Sequence, residues 1–274
     1  MNIFEQAKAT IIDATQTACP NINAFCCQAL QIRGGRIGSG MGFLLEALWG
    51  LYVNQILQQQ SVNFELGWFS SHGYNDFACI EKDAPWNPET QMGELMRIEA
   101  KSMNLEADES KGHFDELIED LSEWDLLLVL IWRWEPVDAF RVCPYIQDYF
   151  IGSARSIAML RDQLHIARGG SFVDRNNCPD QCPPETCLHH GEPLNSKGSR
   201  ERASGPKSCT PKSSSFAANF GGLVRMLQTS SDQARREFCK IRAEDNSAHE
   251  YISFIHRNYP KLKLGQSKSP KRLP

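Results

Sequence analysis

The feature that most constrains the fold is an unbroken apolar block, LLLVLIW, at residues 126–132. Seven residues are too few to cross a bilayer, which needs about 20 apolar residues in a helix, and the chain contains no run of 18 or more apolar residues. A block of this length is typical of a strand buried inside a sheet. With 274 residues, 41% of them hydrophobic, the chain is long enough for one sizeable α/β domain plus a smaller appendage, or for two small domains.

The hydrophobic periodicity predicts a mixed succession of helices and strands. Helices are expected at 3–16, 21–32, 43–57, 111–123 and 152–168, and again in two or three pieces within 216–258. Strands are expected at 62–70, 74–82, 94–103, 125–135 and 139–146, with a tight turn at Ser71-His72-Gly73 between the first two. Residues 169–215 are rich in Pro, Gly, Ser and Cys and carry little regular pattern, and the basic tail 261–274 is expected to be disordered.

Charge divides the chain into two unlike halves. Residues 1–154 hold 9 basic and 22 acidic side chains, whereas residues 155–274 hold 20 basic and 11 acidic ones. An acidic half is suited to binding cations and a basic half to meeting an anionic polymer, although the two halves could also simply attract each other. The N-terminal sequence MNIFEQAKATIIDA lacks a basic segment followed by an apolar one, so we expect no signal peptide and a cytoplasmic protein.

One predicted strand carries an acid and a base side by side, which indicates a catalytic or metal-binding site. In MRIEAKSM, residues 96–103, the apolar alternation leaves Glu99 and Lys101 together on the face opposite Ile98 and Ala100. Asp76 occurs in the preceding predicted strand, and Glu46 is the one charged residue of the apolar helix 43–57. Carboxylates that meet from adjacent strands form a site for Mg²⁺, and a lysine beside them can position water or balance charge on phosphorus.

The arrangement of Asp76, Glu99 and Lys101 resembles the PD-(D/E)XK nuclease superfamily, which includes most type II restriction endonucleases. The resemblance covers residues 40–165 and includes the order of the elements: the helix with Glu46, a strand hairpin, the E-x-K strand, the helix 111–123 and the apolar strand. Asn75 stands where the motif has proline, and KDAPWNPETQ is inserted between the two strands.

The resemblance implies an α/β fold with a restriction-endonuclease-like mixed central sheet flanked by helices. It also implies that Asp76 and Glu99 bind Mg²⁺, that Lys101 assists the attacking water and that Glu46 supports the site. Two plainer interpretations stay open. Glu99 and Lys101 could form a solvated strand face or a cross-strand salt bridge beside an Asp76 that merely ends a turn, and Glu46 could pair with a core arginine.

The glycine-rich stretch GSGMG at residues 38–42 also has two interpretations. It could bring backbone N–H groups and a helix N-terminus against a DNA phosphate, or it could be a plain flexible connection. It follows no strand and lacks the lysine of a P-loop, so it is not a nucleotide-binding motif.

Cysteine and histidine crowd the irregular segment NNCPDQCPPETCLHHGEPLN. Four thiolate or imidazole ligands on a short loop suit a tetrahedral, structural Zn²⁺, which would give this polar stretch a core. The spacing is not that of a standard zinc finger, and free cysteines in a mobile loop are the alternative. The candidate ligands are Cys178, Cys182 and Cys187 with either His189 or His190, and Cys209 is a further candidate.

The basic loop SKGSRERASGPKS follows directly. It is a candidate DNA-contacting segment, although a solvated charged loop would have the same composition. The residues concerned are Lys197, Arg200, Arg202 and Lys207.

Together these features predict a Mg²⁺-dependent endonuclease that cuts double-stranded DNA, as a type II restriction enzyme does, and that acts as a homodimer. The expected organisation is a catalytic domain at 1–168, a Cys/His-rich zinc-binding and helical DNA-contacting region at 169–260, and the tail 261–274. The alternatives are a non-catalytic, zinc-containing DNA-binding protein on a degenerate nuclease fold, and a repair or defence nuclease without sequence preference.

Overall fold

The computed structural model describes residues 2–34, 40–69, 76–107, 112–179, 181–187, 189–199, 220–228, 232–244 and 246–260. Within these ranges the helices are α1 (Ile3–Ala29), α2 (Met41–Gln59), α3 (Ala154–Ala167), α4 (Asp232–Glu244) and α5 (Asn246–Asn258). The strands are β1 (Phe64–Trp68), β2 (Phe77–Glu81), β3 (Glu94–Asn104), β4 (Leu126–Pro136), β5 (Val142–Ser153), β6 (Ser171–Phe172) and β7 (Pro193–Leu194).

The chain forms two compact units. The first unit comprises Met1–Lys111 and Glu119–Arg155, and the second comprises Gly112–Ile118 and Ser156–Pro274. The division therefore falls within α3, whereas the sequence suggested a boundary after residue 168. The second unit also takes in a short segment from the middle of the chain.

The first unit is an α/β structure built on a mixed five-stranded sheet, in the order β1-β2-β3-β4-β5. Strands β1, β2 and β3 pair antiparallel, β3 and β4 pair parallel, and β4 and β5 pair antiparallel. The predicted α/β class with a mixed sheet and helices is thus confirmed.

The apolar block at 126–132 forms most of β4, and all seven of its residues are buried. Leu128 packs in one core with Ile98 and Ala100 of β3 and with apolar residues of α1 and α2. Full burial of such a side chain contributes about 1.5–3 kcal/mol. This core fixes β3, the strand that carries Glu99 and Lys101, in the interior of the sheet.

Helix α1 is one continuous helix, and the prediction of two helices at 3–16 and 21–32 was wrong. Pro20 lies inside it and removes a helical hydrogen bond. The helix continues because its buried stripe does not stop at the proline: Ala14, Ala18, Ile22 and Cys26 recur every four residues and face the core. The helix starts at a capping box, in which Asn2 and Glu5 exchange side-chain-to-backbone hydrogen bonds of 2.7 and 2.9 Å.

Two asparagines tie α1 and α2 to the outer strands of the sheet. The amide of Asn54 in α2 accepts from Leu66 N at 2.7 Å and donates to Leu66 O at 2.8 Å. The amide of Asn23 in α1 makes the same pair of bonds with Ile146 of β5, at 2.7 and 2.9 Å. Because each bond pair fixes a helix to one strand residue, the position of α2, which carries Glu46, is set relative to β1.

The predicted helix at 111–123 is wrong: the described part of this segment contains a single short 3₁₀ turn, Ile118–Asp120. Its backbone C=O and N–H groups instead form hydrogen bonds with other parts of the second unit. The buried guanidinium of Arg161 donates to the carbonyls of Phe114 and Glu116, both at 2.7 Å, and Phe114 N donates to Gly221 O at 2.8 Å. These tertiary bonds replace helical ones, so one element on which the resemblance to restriction endonucleases relied is missing.

The remainder of the second unit contains the small β6–β7 pair and the helices α4 and α5. Helices within 216–258 were predicted, and α4 and α5 confirm them. Among the described residues, no helix has the length and apolar character needed to cross a membrane.

Replacing Arg161 with methionine should destabilise the second unit. Arg161 is 1% exposed, and its loss leaves the buried carbonyl of Phe114 and the partly buried carbonyl of Glu116 without this donor, so we expect a decrease of about 3 kcal/mol in the free energy of unfolding. Chemical denaturation measures it, with protease cleavage of residues 112–118 as a local readout and the exposed Arg235→Met as control. Unchanged stability and unchanged protease protection would contradict this account of the segment.

Candidate functional site

Asp76 and Glu99 are cross-strand neighbours. Phe77 is paired with Ile98 in the antiparallel β2–β3 ladder, so the residue before Phe77 lies opposite the residue after Ile98, on the same face of the sheet. Asp76 Oδ2 accepts a hydrogen bond from Ala100 N at 2.8 Å, and Asp76 N donates to Ile98 O at 3.3 Å. Asp76 is thereby held against β3 and does more than end a turn. The turn Ser71-His72-Gly73 and Asn75 lie outside the described residues.

Glu99 and Lys101 form a salt bridge along β3. The Glu99 side chain is 9% exposed and the Lys101 side chain 27% exposed, so this is not a solvated strand face. Burial lowers the pKa of Lys101, but the carboxylates of Glu99, Asp76 and Glu46 raise it further, to a net value above its ordinary one. Lys101 is therefore a cation that can donate hydrogen bonds and offset negative charge.

Glu46, on α2, interacts electrostatically with Asp76 and Lys101. Burial, followed by the charge of Asp76, raises the pKa of Glu46 to about 7, while hydrogen bonds from the hydroxyl and backbone of Ser102 and the charge of Lys101 act in the opposite direction. Among the described residues, the groups acting on Glu46 include no arginine. Glu46 joins Asp76, Glu99 and Lys101 in one electrostatic cluster, named here the carboxylate site.

Ser102 and Gly42 are parts of this site that the sequence did not reveal. A Cβ added to Gly42 would lie 2.2 Å from Ser102 Oγ, so the glycine allows the first turn of α2 to approach β3 closely. The glycine of GSGMG that matters here thus serves helix–strand contact. The sequence signal for this contact was a glycine one helical turn before an acid in an apolar helix. Gly35–Ser39 lie outside the described residues.

The carboxylate site offers oxygen ligands, which Mg²⁺ prefers. Its three carboxylates do not come as close together as the thiols described below. Among the described residues, the one group of three or more donor side chains lying within 4.8 Å of one another consists of Cys178, Cys182 and Cys187. The chemistry of the donors at the carboxylate site fits a hard divalent cation that keeps several of its waters.

Those three cysteines form a second candidate site in the second unit, named here the three-sulfur group. Their sulfur atoms lie within 4.8 Å of one another, with Cys178 Sγ and Cys182 Sγ 3.5 Å apart. In a tetrahedral site with Zn–S distances of about 2.3 Å, sulfurs lie about 3.8 Å apart. The group could therefore hold a metal ion such as zinc.

Cys182 is disulfide-bonded in this structure, whereas Cys178 and Cys187 are free thiols. A disulfide sulfur is not the thiolate that binds zinc. The two states of Cys182 are alternatives, and the three sulfurs can act together as metal ligands only when Cys182 is reduced.

The two predicted histidine ligands are not part of the three-sulfur group. His189 is fully buried, and its Nδ1 lies 3.1 Å from Oε1 of Glu192, which is 2% exposed. Glu192 as a partner of His189 was not anticipated from the sequence. Cys209, the other candidate ligand, lies outside the described residues.

Of the four basic residues proposed to contact DNA, Lys197 is described, and it is exposed. Its backbone N–H donates to the side chain of Asn195 at 2.9 Å in a turn. Arg200, Arg202 and Lys207 lie outside the described residues, so their role stays a prediction.

Comparison with known proteins assigns the chain to no family. No protein-family model, curated protein or solved structure matches it. The function must therefore be argued from the geometry of the two sites.

Glu46→Gln should stabilise the metal-free protein at alkaline pH more than at acidic pH. Because the folded-state pKa of Glu46 is about 7 against 4.5 ordinarily, stability is lost as the pH rises between these values, and above them the ionised carboxylate costs about 3 kcal/mol. Glutamine removes that charge, so we expect its stabilisation to be about 2 kcal/mol larger at pH 8 than at pH 5.

Denaturation in EDTA at both pH values measures this difference. Glu65→Gln, an exposed acid on β1, is the matched control and should show no such pH dependence. If Glu46→Gln behaves like the control, Glu46 does not carry its charge in a buried site.

Proposed function

We propose that the first unit is a Mg²⁺-dependent endonuclease that hydrolyses phosphodiester bonds of double-stranded DNA, with the activity of a type II restriction enzyme. The observation that supports this most is the convergence of the carboxylate site. Three acids and one lysine, drawn from α2, the start of β2 and β3, act on one another electrostatically. A purely structural salt bridge would account for the presence of Glu99 and Lys101. It would not account for the approach of Asp76 and Glu46 to that pair.

In this proposal Asp76 and Glu99 hold the metal ion, as their position opposite each other on one face of β2 and β3 suggests. The Mg²⁺ supplies a bound water of lowered pKa and positive charge near the phosphate. Occupation of the site also favours the ionised form of Glu46, whose proton affinity is high in the metal-free protein.

Lys101 acts as a cation. Its raised pKa keeps the ammonium charged at neutral pH, so it stabilises the negative charge that develops on the phosphate oxygens and donates a hydrogen bond to them or to the attacking water. A neutral lysine that takes a proton from the water would need a lowered pKa instead. The Glu99 carboxylate fixes the direction in which Lys101 donates.

The three-sulfur group is proposed to bind a structural Zn²⁺ in the reduced protein. Among the described residues, a small apolar cluster surrounds it, consisting of Val173, Cys178 and Leu194 with Cys182 and Cys187 packed against them. A metal ion would supply the core that so few apolar residues cannot. The basic segment that follows is proposed to contact the DNA backbone, and the protein is proposed to act as a homodimer, since cutting both strands of a palindrome needs two sites.

Lys101→Ala should abolish cleavage. Loss of a cation that acts on the transition state lowers the rate by about 100-fold or more, so plasmid that wild type cuts with Mg²⁺ should remain intact, while DNA binding in a mobility shift persists. Because the alanine leaves Glu99 buried without its partner, thermal denaturation checks folding, and Asp76→Asn serves as a second inactive variant.

Lys82→Ala, which removes an exposed lysine outside the site, should cut like wild type. Discrete fragments from wild type support a sequence-specific enzyme, a smear supports a nuclease without sequence preference, and binding without cutting supports a non-catalytic DNA-binding protein. Cleavage that survives in Lys101→Ala would show that the site is assigned wrongly.

Protein purified under reducing conditions should contain about one zinc ion per chain, measured by elemental analysis. Cys178→Ser and Cys187→Ser should each lose it, because a hydroxyl replaces a thiolate ligand. Cys239→Ser, at an exposed free cysteine, should keep it. Zinc that is absent from the reduced wild type, or retained in both ligand variants, would exclude the proposed site.

A further inference from the structure

Two large aromatic side chains meet on the surface of the first unit. Phe43 is 64% exposed and Trp68 is 45% exposed, and their ring centroids lie 5.6 Å apart at an interplanar angle of 43°. Exposed apolar surface of this kind marks a binding site more often than scattered single residues do. We call Phe43 and Trp68 the aromatic pair.

Buried aromatic residues of the core support the aromatic pair. The Trp68 ring lies 5.4 Å from that of Phe77, which in turn lies 5.3 Å from that of Trp49. Phe77 is 2% exposed and Trp49 is fully buried. The exposed rings thus stand at the outer end of a packed row of aromatic residues, so little conformational entropy is lost when a ligand stacks on them.

The chain places the aromatic pair close to Glu46 of the carboxylate site. Phe43 precedes Glu46 by three residues on α2, which is about 4.5 Å along the helix axis. Trp68 pairs with Phe77, whose ring contacts Trp49 of α2, so Trp68 lies on the side of the sheet that α2 covers. The aromatic pair therefore lies about one helical turn from Glu46, the acid that α2 brings to the site.

A flat, uncharged ligand joined to an anion fits this combination of groups. A nucleotide is such a ligand, because its base stacks on aromatic faces whatever the sequence while its phosphate is attracted by Lys101 and a bound cation. A base inside a duplex is already stacked on its neighbours, so it must be unpaired or turned out of the helix to reach a protein ring.

We propose that the aromatic pair stacks on the base next to the phosphate that enters the carboxylate site. The inference rests on the proposed nuclease function and adds a substrate property to it: the nucleic acid presents an unstacked base there. A single strand, or a duplex with one unpaired nucleotide, binds more tightly than the same sequence fully paired.

Binding of short oligonucleotides in EDTA tests this without cleavage. The probes are an oligothymidylate, a fully paired duplex, and that duplex with one unpaired base. The readout is tryptophan fluorescence, with fluorescence anisotropy of labelled probe as a second measurement. Trp68→Phe keeps an aromatic ring, so it should retain affinity and lose the quenching that Trp68 contributes.

Trp68→Leu and Phe43→Leu should weaken binding of the single strand by about 5- to 150-fold, the range expected for one lost base–aromatic stack. Phe140→Leu is the matched control, because Phe140 is 69% exposed and comes after the end of β4, away from Lys101. Lys101 is paired with Val129 of β4, and the strand runs about 23 Å further from Val129 to its last residue, Pro136.

Unchanged affinity in both leucine variants, or no quenching that depends on Trp68, would overturn the inference. So would a wild-type dimer that falls apart in the leucine variants while their affinity for oligonucleotide stays the same, since the aromatic pair would then be an interface between copies. Plasmid cleavage is scored separately. If the protein cleaves plasmid but the aromatic pair does not stack on a base, this inference is wrong and the proposed hydrolysis stands. If the pair stacks on a base but the protein does not cleave, the proposed hydrolysis is wrong and this inference stands.

Discussion

The hydrogen bond from the backbone N–H of Ala100 to the carboxylate of Asp76 connects the main parts of the candidate site. It joins the residue before β2 to the middle of β3, and it does so between Glu99 and Lys101. Without it the Asp76 side chain could turn towards solvent, and Glu99 and Lys101 would form an isolated ion pair. With it, Lys101 lies in the field of three acids. Burial and the charge of Asp76 raise the pKa of Glu46, whereas the pKa of Lys101 is raised by the three acids against the opposing effect of burial.

The rest of the first unit serves to keep this crowding in place. Glu46 is brought in by a helix whose register is fixed at Leu66 by Asn54 and whose first turn approaches β3 through Gly42. A protein that needed only a stable sheet would gain from replacing this partly buried acid with an apolar residue. The retention of an acid with a pKa of about 7 in that helix is the kind of perturbation that functional sites show.

The sequence predicted best what depends on local pattern. The apolar block of β4, the helix around Glu46 and the alternation that pairs Glu99 with Lys101 could be recognised because burial periodicity decides them. The prediction from sequence was wrong where residues distant in the chain override a local pattern. The segment 111–123 has helical spacing, but Arg161 takes its carbonyls; α1 continues through Pro20 because its core-facing stripe continues. Ser102 and Gly42 were missed because their contact exists only after the helix has packed on the sheet.

The amide pairs of Asn23 and Asn54 have a consequence for self-association. Strands β1 and β5 are the two edges of the sheet, where free N–H and C=O groups would accept a strand from another molecule. At Leu66 and Ile146 those groups are already occupied by side chains of the same molecule, and Ile32 occupies those of Val142. Extending the sheet into a second copy at these positions would first require the side chains of Asn23 and Asn54 and the backbone of Ile32 to be displaced.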